Sequence, residues 1–183
     1  MSRRKLTPVE KARREIYSVS CLDILNHQNW MALALEQAKQ AAQSGDIPVG
    51  AVIVRNGELV ASAGNARQRL QRPTAHAEIL AIEQACEKLR TWNLSDCALY
   101  VTLEPCCMCA GAILQARIPL VVYGADDPKA GAVKSLFSLL NDSRLNHRCE
   151  VVSGILDTAC GKVLTDFFQK RRDEKKEGVG SRE

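Results

Sequence analysis

Aromatic residues make up only 4% of this 183-residue chain, and no apolar run reaches the length of a membrane-spanning helix. The N-terminus is basic but has no apolar signal-peptide core, and Glu10 and Glu15 argue against a transit peptide. The hydrophobic and charged fractions, 46% and 25%, are ordinary for one globular domain. We therefore expect a cytoplasmic protein with no membrane partner and a mainly aliphatic core.

The net charge of +4 comes entirely from the two ends of the chain. Residues 1–26 carry six Lys/Arg and three acids, and residues 170–183 carry six and four. We divide the chain into a basic N-terminal extension (1–26), expected to be flexible at first and helical near its end, a globular domain (27–172) and a charged C-terminal tail (173–183). The ends could bind a polyanion as basic arms, or they could be simply solvated and disordered.

Hydrophobic periodicity predicts alternating helices and strands, and Asn56-Gly57 predicts a tight hairpin. Helices are expected at 27–44, 76–90, 106–116, 135–140 and 157–172, and strands at 49–55, 58–63, 97–103, 119–123 and 150–152. Residues 64–73 read as a polar loop. A hairpin followed by strand–helix alternation predicts an α/β fold, a mixed sheet of about five strands with helices on both faces.

Three metal ligands lie in two short segments thirty residues apart, His76 in one and a Cys-x-x-Cys pair, Cys106 and Cys109, in the other. Three ligands suit a Zn²⁺ ion that keeps its fourth position for water, as catalytic zinc sites do. Cys106 and Cys109 share one face of a helix, whereas Cys107 points away. Cys107 nevertheless adds a thiol beside the pair and remains an alternative ligand.

Glu78 is a candidate proton carrier beside this centre, provided that His76 lies at the cap or in the first turn of its helix. Zinc lowers the pKa of its water from about 15.7 towards 7. Glu78 could take the water proton and deliver it to a ring nitrogen and then to a leaving amine. Glu104 is expected to orient the loop instead. The spacing H-x-E…P-C-x-x-C is typical of zinc nucleobase deaminases.

Other interpretations of the cysteines and histidines are weaker. A zinc ribbon needs a second close cysteine pair, which the chain lacks, and a redox pair would need neither His76 nor Glu78. His27 and His147 have no second ligand close to them in the sequence and are expected to be surface or capping residues. Four further cysteines are expected to be core thiols: Cys86, Cys97, Cys149 and Cys160.

Eight segments together give the chain a specific resemblance. They are Pro48-Val-Gly-Ala, Pro73-Thr-Ala-His-Ala-Glu-Ile, Leu99-Tyr-Val-Thr-Leu-Glu-Pro-Cys, Met108-Cys-Ala-Gly-Ala-Ile, Val121-Val-Tyr-Gly-Ala, Gly131-Ala, Asn146-His-Arg and Asp166-Phe-Phe. With them, residues 27–172 resemble the bacterial tRNA-specific adenosine deaminase family. The metal motif alone would not separate this family from cytosine, guanine or free-nucleoside deaminases. The extension 1–26 and Cys107 depart from the family pattern.

The resemblance implies a cytidine deaminase-like, three-layer α/β/α fold with one Zn²⁺ per subunit. It also implies a homodimer that binds a tRNA anticodon stem-loop and converts the wobble adenosine, in an arginine tRNA, to inosine. Two alternatives remain open. A deaminase of free bases or nucleosides would need no basic tail, and a zinc-stabilised RNA-binding protein would need no Glu78.

By the same analogy, six residues would contact the substrate. Asn65 would hydrogen-bond the flipped base, and the backbone at Ala77 would help to hold it. Four others would face the RNA: Asp127, Lys129, Phe168 and Arg171. Each also has an ordinary structural interpretation, as a turn residue, a solvated loop, a core aromatic or part of a solvated tail.

Overall fold

The computed structural model describes residues 21–179 of the chain. Its helices are α1 (Cys21–Gln43), α2 (Arg67–Leu70), α3 (Ala77–Leu89), α4 (Cys107–Gln115) and α5 (Asp157–Val179). Its strands are β1 (Gly50–Arg55), β2 (Glu58–Gly64), β3 (Cys97–Leu103), β4 (Leu120–Ala125) and β5 (Glu150–Ser153). One 3₁₀ turn covers Leu139–Asn141.

The five strands form one mixed sheet in the order β2-β1-β3-β4-β5. Strand β1 is antiparallel to β2 and β3, whereas β3, β4 and β5 run parallel. One apolar core lies between the sheet and helices α3 and α4, and a second lies on the face covered by α1 and α5. The predicted three-layer α/β/α fold is confirmed.

Two local features show why the antiparallel part forms. Asn56 and Gly57 have φ angles of 52° and 76°, the paired left-handed conformations of a two-residue hairpin turn. At Gly50, a Cβ would collide with the α1 backbone at Ala34 and Ala38. Glycine there lets α1 lie directly on the sheet.

Both terminal helices are longer than predicted. Helix α1 already includes Cys21, which agrees with a helical end to the N-terminal extension, and no proline or glycine lies between Cys21 and His27 to interrupt it. Helix α5 continues to Val179 through the segment predicted as a tail; the ion pair Lys170–Glu174, one helical turn apart, supports this continuation. Residues 1–20, most of the predicted basic extension, and 180–183 lie outside the described residues.

Two predictions about the loops are wrong. The predicted polar loop 64–73 contains the short helix α2. The predicted helix 135–140 is replaced by the 3₁₀ turn, because Lys134 and Ser135 donate their N–H groups to Glu104 and not to a helical ladder. Within residues 21–179, no helix combines the length and the apolarity that a membrane crossing requires.

Candidate metal centre and substrate pocket

The two predicted ligand segments meet where helices α3 and α4 begin. His76 is the extended N-cap residue of α3, and Cys106 is the extended N-cap residue of α4. Cys109 lies one turn into α4 and is buried, whereas Cys107 is exposed. Because His76 and Cys106 have extended backbones just before their helices, their side chains can approach each other and Cys109 between the two helix ends.

The distances between the three ligand atoms fit a tetrahedral zinc ion. His76 Nδ1 lies 3.8 Å from Cys106 Sγ and 3.6 Å from Cys109 Sγ, and the two sulfurs are 3.7 Å apart. Tetrahedral bonds of typical zinc length place two sulfurs about 3.8 Å apart and a nitrogen and a sulfur about 3.6 Å apart. Among the described residues, these three form the one cluster of this kind.

The electrostatics of the three groups also favour a cation. Hydrogen bonds with Cys109 and then with His76 lower the pKa of the Cys106 thiol to about 3, which favours the thiolate, the form that binds a metal. The hydrogen bond to Cys106 and burial raise the pKa of Cys109. The pKa of His76 is raised, chiefly by its hydrogen bond to Cys106. The three groups therefore share protons through hydrogen bonds to one another. A metal ion bound between them would displace these protons.

Glu78 lies in the first turn of α3, is only 3% exposed and lines the same cavity as His76 and Cys106. Burial raises its pKa, while the positive charge of His76 opposes the shift. A buried carboxyl with a raised pKa is suited to accept a proton and release it again at neutral pH.

The cavity has a volume of about 160 Å³. This is smaller than the roughly 300–1,000 Å³ of drug-sized ligand sites, and it suits a single nucleobase. Asn65, Ala77 and Asp127, three of the predicted substrate residues, lie on its wall. Arg67, which the sequence analysis missed, also lines it. Its position two residues after Asn65 was the available signal.

Lys129 and Phe168 lie outside this cavity, in a shallow groove that includes Arg172. Phe168 is 41% exposed, so it is not a core aromatic. Arg171 lies 5.5 Å from the ring centroid of Phe167 and does not line the groove. The missed residue, Arg172, is four positions from Phe168, a spacing that puts both on one face of α5.

Two buried carboxylates hold the segments that form the cavity wall, and we call them the carboxylate anchors. Asp46 accepts the N–H groups of Gln68 and Arg69, at 2.6 and 3.1 Å, beside Asn65. Glu104 accepts five hydrogen bonds from residues 127–135. Although burial raises the pKa of Glu104, these bonds hold it at about 2. As expected from the sequence, Glu104 is structural, because it has no acceptor site left for a substrate proton.

The other two histidines have hydrogen-bond partners, and the other described cysteines form no disulfide. His27 Nδ1 lies 3.0 Å from the Tyr100 hydroxyl, and His147 Nε2 lies 2.8 Å from the Ile118 carbonyl oxygen. The seven cysteines whose side chains are described are free. Three of them are buried core thiols with pKa values raised by burial to about 12: Cys97, Cys149 and Cys160.

Comparisons with known proteins agree on one class of enzyme. The MafB19-like deaminase family matches residues 25–172. A tRNA-specific adenosine deaminase of Bacillus subtilis is 50% identical over 147 residues, which cover 80% of this chain and 91% of that protein. A structure from a study of A-to-I editing by tRNA:A34 deaminases at the wobble position is 43% identical with a TM-score of 0.72. It covers 74% of this chain and 99% of its own.

A guanine deaminase from Bacillus subtilis is also similar. Its solved structure is 42% identical with a TM-score of 0.53, and the match covers 55% of this chain and 64% of that one. The same fold therefore also occurs in a deaminase named for a different purine.

Proposed function

We propose that this chain, which belongs to the family of tRNA-specific adenosine deaminases, hydrolyses adenosine to inosine in tRNA with release of ammonia. The observation that carries the proposal is one juxtaposition. Three zinc-type ligands and a buried glutamate lie together in a cavity sized for one nucleobase. The finer proposal is that the target is the wobble adenosine of an arginine tRNA.

His76, Cys106 and Cys109 would hold one Zn²⁺ ion through one nitrogen and two sulfurs. Bound there, the ion would supply an activated water as nucleophile at neutral pH. The chain's own contribution to chemistry is Glu78. Its carboxylate takes a proton from the attacking water and passes it to the ring nitrogen beside the amine-bearing carbon. Glu78 then takes the second proton of that water from the added oxygen and delivers it to the amine, which leaves as ammonia.

The cavity wall would hold the base once it has left the anticodon stack. Asn65 is 8% exposed and offers an amide that can both donate to and accept from a purine edge. The backbone at Ala77 adds a second contact. Asp127 and Lys129 would face the backbone and sugars of the anticodon, and Phe168 and Arg171 would flank the RNA on α5.

The partners in this proposal are a tRNA anticodon stem-loop and a second copy of the chain. Three large apolar side chains around the 3₁₀ turn support a homodimer, because they are 41–52% exposed: Leu136, Phe137 and Leu145. A tRNA substrate also supports a cytoplasmic location.

The test is formation of inosine at a defined position. Zinc-loaded protein is incubated with an arginine tRNA carrying adenosine at the wobble position, and nucleosides are quantified by mass spectrometry. The same tRNA with guanosine at that position is the matched substrate control, and Glu78→Ala is the enzyme control. We expect inosine only with the adenosine tRNA and the unmodified chain.

The second candidate is a deaminase of free purines, favoured by the similarity to guanine deaminase. Guanine, adenosine and cytidine are therefore run in parallel with the tRNA. Ammonia release from one of them, with none from tRNA, would replace the proposed function by this second one.

Substitution of Asn65 by Ala should lower kcat/KM for tRNA by about 10- to 100-fold, since the loss of one or two buried hydrogen bonds to the base costs about 1–3 kcal/mol. Asn93→Ala is the matched control, because Asn93 is exposed and its side-chain oxygen accepts the N–H of Ser95, away from the cavity. The measurement is kcat/KM for tRNA with both variants. Equal values for Asn65→Ala and Asn93→Ala would show that Asn65 does not bind the base.

A further inference from the structure

We infer that Glu104 is a positioning residue that sets the affinity for the RNA substrate by fixing loop 126–135 against the turn that carries Cys106. The inference rests on the proposed function, since it needs a substrate that contacts both the metal centre and this loop. Glu104 itself lines the nucleobase cavity, but five donors already occupy its carboxylate, so the inference assigns it no hydrogen bond to the substrate.

The carboxylate of Glu104 is the centre around which the loop folds. Oε1 accepts the N–H groups of Val133, Lys134 and Ser135 at 3.0, 2.7 and 2.9 Å. Oε2 accepts the N–H of Asp127 at 3.0 Å and a second bond from the Ser135 hydroxyl. The residue is 2% exposed, so water is not available to replace these donors. Both ends of the loop are therefore held at one side chain.

The backbone joins the same loop to the metal-ligand turn. The Ala132 N–H donates to the Pro105 carbonyl at 2.8 Å, and Cys106 pairs with Gly131 in an isolated antiparallel bridge. A Cβ on Gly131 would collide with the Glu104 carboxylate and would lie 2.6 Å from the Asp127 carbonyl oxygen. The loop thus packs on Glu104 without space for even a methyl group.

The middle of the loop carries residues that face the substrate. Asp127 and Ala130 line the nucleobase cavity, and Lys129 lines the outer groove. The Asp127 carboxylate in turn accepts the N–H groups of Lys129 and Ala130 at 2.9 and 3.2 Å. A change in the position of the Glu104 carboxylate would therefore move Asp127, and with it the wall of the nucleobase cavity and the position of Lys129 in the outer groove.

Glu104 acts through this loop and not on the reacting atoms. A carboxylate has about four lone-pair directions, and five donors already occupy them. The expected signature of its loss is accordingly a weaker substrate complex, with the zinc centre and the proton path through Glu78 intact.

The test compares Glu104→Gln and Ser135→Ala with a stability control, Val52→Ala. The glutamine keeps the size of the side chain but places an NH₂ group opposite backbone donors. Val52 is fully buried on the opposite face of the sheet, so its truncation destabilises the fold without touching the loop. Measurements are KM and kcat with tRNA, zinc per chain, and amide hydrogen exchange.

For Glu104→Gln, we expect KM to rise about tenfold or more, kcat to change less than about threefold, and zinc to remain at one per chain. Ser135→Ala should change KM in the same direction by a smaller factor. Exchange should accelerate at the amides of Asp127, Val133, Lys134 and Ser135 in Glu104→Gln and stay unchanged in Val52→Ala.

An unchanged KM, or a rise equal to that of Val52→Ala, would overturn the inference. Loss of zinc in Glu104→Gln would also overturn it, because Glu104 would then act through Cys106. If the unmodified chain failed to act on tRNA, the proposed function would fall. The four exchange rates would then still decide whether Glu104 holds the loop.

Discussion

Replacement of Glu78 by Gln should lower kcat for deamination by at least about 1,000-fold while the protein keeps its zinc and its fold. The carboxylate is buried, has a raised pKa and lies beside His76, so no solvent group can take over its proton transfers. The amide of glutamine keeps the size and the polarity but cannot accept and release a proton. Single-turnover rates of inosine formation, with zinc measured on the same sample, give the result.

Glu83→Gln is the matched control for this experiment. Glu83 lies on the same helix, but its side chain is 56% exposed and its nearest partner is Arg72, at 4.0 Å. This variant should behave like the unmodified chain. Activity of Glu78→Gln within tenfold of that control would exclude Glu78 as the proton carrier and would favour a zinc-stabilised binding protein or another base.

Replacement of Cys106 by Ser should remove both zinc and activity, whereas Cys107→Ser should retain both. The Cys106 thiolate is one vertex of the cluster, and a hydroxyl is a far poorer zinc ligand than a thiolate. Since loss of a group that merely supports a ligand already costs about 10- to 100-fold in metal affinity, loss of the ligand should cost more than about 100-fold. Zinc per chain, measured after dialysis at equal free zinc, tests this.

Cys107→Ser also decides whether Cys109 binds the metal together with Cys106 or together with Cys107, the alternative ligand that the sequence left open. Cys107 is exposed and does not belong to the three-residue cluster. Zinc loss in Cys107→Ser, with zinc retained in Cys106→Ser, would make 107 and 109 the ligand pair and would contradict the geometry of the cluster.

Much of this centre follows from local rules. Helical periodicity separates Cys107 from Cys106 and Cys109, and the two-residue spacing of His76 and Glu78 requires His76 to cap its helix, as it does. Short β-rich apolar runs and the Asn56-Gly57 turn gave correct strand positions, including Cys97–Leu103. These features depend on neighbours within a few positions in the chain.

Features that depend on distant residues were not predictable in this way. Loop 126–135 takes its shape from Glu104, more than twenty positions earlier. The helical sequence pattern of residues 135–140, which follow this loop, was therefore misleading. Arg67 and Arg172 belong to no motif; their spacing from Asn65 and Phe168 was the only sequence signal, and the cavity and the groove that they line depend on the fold. Helix α5 continues past residue 172, and the Lys170–Glu174 ion pair that supports this continuation has its acidic partner in the segment predicted as a tail.

The carboxylate anchors have a consequence for how the specificity of this enzyme can evolve. Asp46 and Glu104 grip the wall segments mainly by backbone N–H groups, which every residue except proline possesses. Side chains between the gripped amides, such as Lys129, can therefore be exchanged without loss of the support beneath them. Point substitutions on these segments can therefore change the substrate that is bound. Proline is the exception at positions whose N–H donates to Asp46 or Glu104, because it has no N–H group.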